Sequence, residues 1–404
     1  MACFNKDMVV HQNSYVKTGF VGCGAILIVF FILKTIYIGP SGLPQVGDIF
    51  LLISTLYLFC RSDWHLDLDT SSLRMVGVIA ALLLYQIAIN AIWSIIIGTN
   101  LVRYCFYYIY NFIAFLDTIM ICRRIGIRQL KLSLFYGAAL SLLSPIIGII
   151  ISGGNARNVG FFNNPNQLGY HALVVMTVIL LFREDYVGWE KYAVMILALF
   201  VSVLSASRAA VTGVIVSIGT TVLFDNSTAS SIRPARKFCA LLAFICLLYF
   251  VFFSEGRLAS ENQQIKLIRV RYENIIKGTE DLEGNRGYGR IKEVELGAFF
   301  GVGEGAYDRF SARTGYEIHN TYLSLMVCYG LIGFLGYVVF FVCCIMKRGL
   351  TIHYLSAISG VLVFQLVHNG IRNTLIWVTL AVVYCSNNQM LNRTSCSGIQ
   401  GAQL

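Results

Sequence analysis

The chain has 404 residues, of which 57% are hydrophobic and 13% charged, with 31 lysines and arginines against 21 acidic residues. A soluble domain carries roughly 25% charged residues, so this composition, with a mean hydropathy of +0.69, excludes an ordinary soluble protein and marks an integral membrane protein. The net charge of +10 belongs at lipid headgroups rather than on nucleic acid, because apolar runs divide the cations among short loops.

Crossing a bilayer core of about 30 Å takes about 20 apolar residues. By that measure candidate spans lie at 20–38, 47–60, 75–97, 102–122, 132–152, 166–182, 190–206, 208–224, 238–254, 319–346, 349–368 and 372–387. Lys6 and Lys17 precede the first run in the order of a signal peptide, but no small-residue cleavage pattern follows, so it reads as a retained first helix. With the N-terminus in the cytoplasm, one set of loops collects Arg61, Arg74, Arg123, Arg124, Arg128, Lys131, Arg183, Lys191, Arg233, Arg236, Lys237, Lys347, Arg348 and Arg393. The opposite short loops hold only Arg103, Arg157, Arg208 and Arg372. Positive-inside logic then puts both termini in the cytoplasm.

The expected fold class is all-α: a polytopic membrane protein of about 12 transmembrane helices with one large external loop that contains short helices. Residues 1–152 form the N-terminal spans, 153–254 the central spans, 255–318 the loop, and 319–404 the C-terminal spans and a cytoplasmic tail. From Glu255 to Glu317 the loop has ten basic and eleven acidic residues, so it is no polybasic arm. Ile265, Ile268 and Tyr272 fall at helical spacing, the pattern of an amphipathic helix. A second short helix is expected over Tyr288 to Phe299, ended by the glycines of GVGEG. The 12 cysteines lie mostly in or beside apolar runs without C-x-x-C spacing, and read as small buried hydrophobes.

The four external short-loop arginines each stand where a helix begins, and a helix N-terminus attracts anions through its unpaired N–H groups and partial positive charge. In NNPNQLG, Asn164 suits an N-cap and Pro165 the first helical position. The tenth span opens similarly with His319 and Asn320, while His368 and Asn369 close the turn before Arg372. Such a cluster should line an aqueous cavity and bind an anion; a diphosphate fits best, since arginine's fork matches phosphate oxygens. Arg157, Asn164, Asn166, Asn320 and Arg372 are the candidate binding residues. Plainer readings attach to some neighbours: Arg103, before CFYYIY, as an interfacial anchor; His171, a turn inside its helix, as a packed polar residue; GVGEG as a turn rather than a phosphate cradle. No H-E-x-x-H, G-x-S-x-G or metal-ligand histidine spacing occurs, and the spans hold almost no acid besides Asp117. No metal or other cofactor is expected.

The order RNVGFFNNPNQLG, LSASRAAVTG, GRIKEVELGAFFGVGEGAY and HNTYLSLMVCYGLIGF, over roughly residues 150 to 345, resembles the O-antigen ligase and O-antigen polymerase superfamily of bacterial envelope glycosyltransferases. The resemblance implies a periplasmic active face on the inner membrane and a metal-independent, inverting transfer of a glycan from undecaprenyl diphosphate to a sugar hydroxyl. The acceptor is a lipid-linked repeat unit in polymerases and the lipid A core in ligases; the arginine-and-glycine style of Arg157 to Gly169 and Arg290 to Gly301 favours polymerase. It further implies that Arg208 and Arg290 bind the diphosphate and that His319 meets the acceptor hydroxyl. The competing expectation is a flippase for polyprenyl-linked sugars, which would need charges along a path through the membrane and usually internal repeats.

Overall fold

The computed structural model describes residues 22–39, 43–61, 68–153, 159–182, 186, 189–224, 270, 287–293, 299–305, 309, 317–345 and 352–385. Their regular structure is all helix, with no strand among the described residues. The helices are α1 (Gly22–Leu33), α2 (Val46–Arg61), α3 (Thr70–Ile97), α4 (Phe106–Arg124, led in by a 3-10 turn), α5 (Ile127–Ile151), α6 (Pro165–Leu181), α7 (Trp189–Leu204), α8 (Arg208–Phe224), the short α9 (Gly289–Glu293), α10 (Thr321–Ile345), α11 (Ile352–Gln365) and α12 (Thr374–Cys385). Four are long and apolar enough to cross a membrane: α3, α4 with its 3-10 turn, α5 and α10. Six shorter apolar helices pack with them. The expected span at 238–254 and Arg157 lie outside the described residues, as does the amphipathic helix of the loop apart from Val270. Of the helix expected over Tyr288 to Phe299, Gly289–Glu293 is helical and Phe299 stands in a turn.

Local chemistry sets the helix ends. Asn164 caps α6, its side chain accepting from Gln167 N at 2.9 Å with Pro165 in the first turn, as the sequence suggests. Asn320 does the same for α10 through Leu323 N at 3.0 Å, and Asp69 for α3 through Ser72 N at 2.8 Å. Asp48, in the first turn of α2, accepts from Gln45 N at 2.8 Å and holds Lys34, just past α1, at 2.7 Å, so one buried carboxylate ties two helix ends together.

Small residues bring helices close. Gly213 of α8 faces Gly360 of α11 so tightly that a Cβ on Gly360 would lie 1.9 Å from Gly213 O. Hydroxyls bridge the same seam, with Ser217 Oγ donating to Ala357 O at 3.1 Å and accepting from Gly360 N at 3.0 Å. In the centre, Trp377 stacks on Phe340 with ring centroids 5.3 Å apart, one of many buried aromatic pairs.

Hydropathy alone shows α10 as one unbroken run, yet its backbone breaks at Gly330, with φ 63° and ψ −169°. Residues 299–305 fold back into the bundle at that break. There Val302 N donates to Val327 O at 3.0 Å, Gly303 N to Cys328 O at 2.8 Å, and Ile332 N to Phe299 O at 3.3 Å. The loop thus substitutes for the helical partners that the break removes. Side chains of α3 satisfy its carbonyls, Tyr85 donating to Phe300 O at 2.9 Å and Trp93 to Gly301 O at 3.1 Å.

Candidate functional site

The antiparallel course of the helices gathers the ends of α1 and α11 and the starts of α2, α4, α6, α10 and α12 at one end of the bundle, around a cavity of about 300 Å³. Asn164, Asn166 and Gln167 come from α6, Tyr107 and Tyr110 from α4, His319 from the approach to α10, and His368, Asn369 and Arg372 from the α11–α12 turn. This size is at the low end for small-molecule sites. The lining is chiefly amide, phenol and imidazole, groups that both donate and accept hydrogen bonds.

The α11–α12 turn is strapped to the start of α10. Thr321 Oγ1 donates to His368 O at 3.0 Å and accepts from Gly370 N at 3.0 Å, and Asn320 Nδ2 donates to Leu366 O at 2.8 Å. These bonds set two imidazoles in one wall: the rings of His319 and His368 are 5.8 Å apart. A stacked series fixes His368, which lies on Phe364 at 4.8 Å, itself on Tyr170 at 4.5 Å. Asn369 Oδ1, buried in the same wall, has no hydrogen-bond partner within the protein.

Both cations in the wall are held by carboxylates. Lys34 is bound to Asp48, and the Arg372 guanidinium is shared between Glu304 and Glu317 while lying 5.0 Å over the Tyr107 ring. The carboxylates differ in exposure, 2% for the Glu304 side chain and 48% for Glu317. Glu304 also accepts from Tyr108 at 3.0 Å and Tyr329 at 2.9 Å, and its backbone N–H donates to Asn90 at 2.8 Å. Burial works against the charge of Arg372, but the two carboxylates prevail and hold its pKa well above the ordinary arginine value. The Glu304 hub escapes sequence reasoning because the residue stands among the many charges of a hydrophilic loop; the signal it left was the glycine-rich GVGEG, which permits the chain to enter the bundle.

Of the sequence-predicted residues, His319, Asn164, Asn166 and Arg372 meet at the cavity. Asn320 stands behind it with both side-chain groups engaged in the cap and the strap. Arg290 does not line the cavity; it is buried in α9 and donates from Nη1 to Gly305 O at 2.8 Å, beside the Glu304–Arg372 cluster. Burial lowers its pKa from the ordinary arginine value, the main opposing influences being Cys328, Glu317 and Glu304. Arg208 also lies off this cavity, in the first turn of α8. It follows a turn in which Ala206 adopts a left-handed φ of 50° and Ser207 N donates to Ser205 Oγ at 3.2 Å. That turn presses on α6 at Gly169, where a Cβ would come within 2.5 Å of Ala210 Cβ, so Arg208 begins its helix at the same end as Asn164. The amides of Val302, Gly303 and Glu304 all have protein partners, so the three central amides of GVGEG are engaged within the protein rather than turned to a phosphate. His171 is buried against Phe162, their rings 5.3 Å apart, in keeping with a packing role.

No protein-family model matches the chain, and no match was found among curated proteins.

Proposed function

We propose that the protein is a glycosyltransferase of the O-antigen ligase and polymerase kind, a twelve-span protein of the bacterial inner membrane with both termini in the cytoplasm and its cavity open to the periplasm. The donor is a glycan on undecaprenyl diphosphate. The acceptor is a sugar hydroxyl, with a lipid-linked repeat unit favoured over the lipid A core. The observation that carries the reading is the company His319 keeps, in a cavity lined with amides and phenols suited to sugar hydroxyls, at the end of the bundle where Arg208 also begins its helix.

In the proposed reaction the acceptor oxygen attacks the anomeric carbon on the face opposite the diphosphate, and the bond from that carbon to the phosphate oxygen breaks. His319 accepts the hydroxyl proton, for which an imidazole is suited near neutral pH. Arg208, which begins its helix at the same end of the bundle, and Arg290, buried beside the Glu304–Arg372 cluster, offset through the field of their charges the negative charge that develops on the departing undecaprenyl diphosphate. Asn164, Asn166 and Arg372 orient the sugars.

The test is transfer by the purified protein, given undecaprenyl-diphosphate oligosaccharide with either more donor or lipid A core as acceptor. His319→Ala is expected to slow transfer roughly 10²- to 10⁴-fold while unfolding within about 1 kcal/mol of the parent. Unimpaired transfer by that variant would remove the role given to His319, and lipid movement without product would mark a flippase.

A further inference from the structure

Arg372 has two carboxylate partners of unequal permanence. Glu304 is sunk in the protein and fastened by Tyr108 and Tyr329, whereas the Glu317 side chain is about half exposed at the cavity margin. Removing the buried partner would strand a charge, but exchanging the exposed one costs little, because a pair in contact with water gains little over its separated, solvated ions. Both Glu317 and the guanidinium line the cavity. The guanidinium also lies against the Tyr107 ring, and its Nε–H is buried without a hydrogen-bond partner. Its plane is thus fixed and its donor set incompletely used.

We propose that Glu317 is a displaceable placeholder on an oxyanion site: an anionic oxygen group of the bound ligand, a phosphate or a sugar carboxylate, takes over the Nη1 arm of Arg372 from Glu317, while Glu304 keeps the other arm. The two carboxylates occupy both arms of the Arg372 guanidinium, so an incoming anion gains the Nη1 arm only when Glu317 swings out. After the exchange the guanidinium retains two anionic partners and its fork geometry. Glu317 is two residues before His319, and both line the cavity, so the exchange takes place beside the imidazole. Ligand charge is thereby sensed beside the residue assigned to the acceptor. The inference rests on the cavity as the ligand site but not on transfer chemistry.

Calorimetric titration of the full-length protein in detergent tests it, with pyrophosphate, glucuronate and neutral glucose as separate probes. Glu317→Gln, which keeps the shape and removes the charge, is expected to bind one of the anions roughly tenfold more tightly than the parent, with glucose unaffected. A gain for pyrophosphate assigns the arm to a diphosphate, and a gain for glucuronate to an acidic sugar. Adding Arg372→Lys, which keeps the charge but loses the fork, should cancel the gain; Glu317→Ala provides a second variant of the same sign. Equal anion binding by parent and both Glu317 variants, or a gain that survives Arg372→Lys, overturns the proposal. Tighter anion binding in a protein that transfers no glycan would leave this inference standing and the glycosyltransferase reading fallen.

Discussion

The cavity wall and the glycine junction behind it are both polar regions in an apolar bundle, and they treat their polar groups differently. At the junction, Gly301 O, Phe300 O, Val302 N, Gly303 N and Glu304 N all find partners on α3 or α10. In the cavity, Asn369 Oδ1 and Arg372 Nε are buried without one. Satisfied groups stabilise a fold, whereas unsatisfied ones beside a void are kept at a cost of about 1–3 kcal/mol each unless a ligand completes them. The junction is therefore scaffold, and the cavity is where a ligand is to be sought.

Substitutions can break this contrast, beginning with the junction. Gly330 has backbone angles open almost only to glycine, and a Cβ there would lie 2.3 Å from Phe299 O. Gly330→Ala is expected to destabilise by roughly 4 kcal/mol or more, from backbone strain and overpacking together, visible as a collapse of the thermal unfolding midpoint in detergent. Glu304→Ala, which takes from Arg372 its buried partner and from two phenols their acceptor, should cost about 3–5 kcal/mol by the same measurement. In the wall, Asn164→Ala removes a cap and should cost about 1 kcal/mol; a much larger loss would move Asn164 from the cavity side of the contrast to the scaffold.

Much of the fold could be read from the chain because hydropathy and capping are local. The starts of α6 and α10 followed from Asn164, Pro165 and Asn320, whose side chains act within one helical turn. Other features depend on partners far along the chain. The break at Gly330 is hidden in an apolar run and depends on a loop about thirty residues earlier in sequence. Glu304 is one of eleven acids in a segment that reads as solvent-facing, and only the fold shows it meeting Tyr108 from α4. Within the site, placing His319, Asn164, Asn166 and Arg372 together was possible because each adjoins a helix end on the same side. Arg290 and Arg208 stand apart from that cavity because position relative to a void is a tertiary property.

The bridge between Lys34 and Asp48 also bears on how the chain enters a membrane. A lone lysine near the end of α1 or a lone aspartate near the start of α2 would each favour water, and each would resist delivery into hydrocarbon on its own helix. Because they lie 14 positions apart on either side of one turn, they cancel within a hairpin. Helices α1 and α2 are thus suited to leave the insertion machinery as a pair, the charge of each offset by the other.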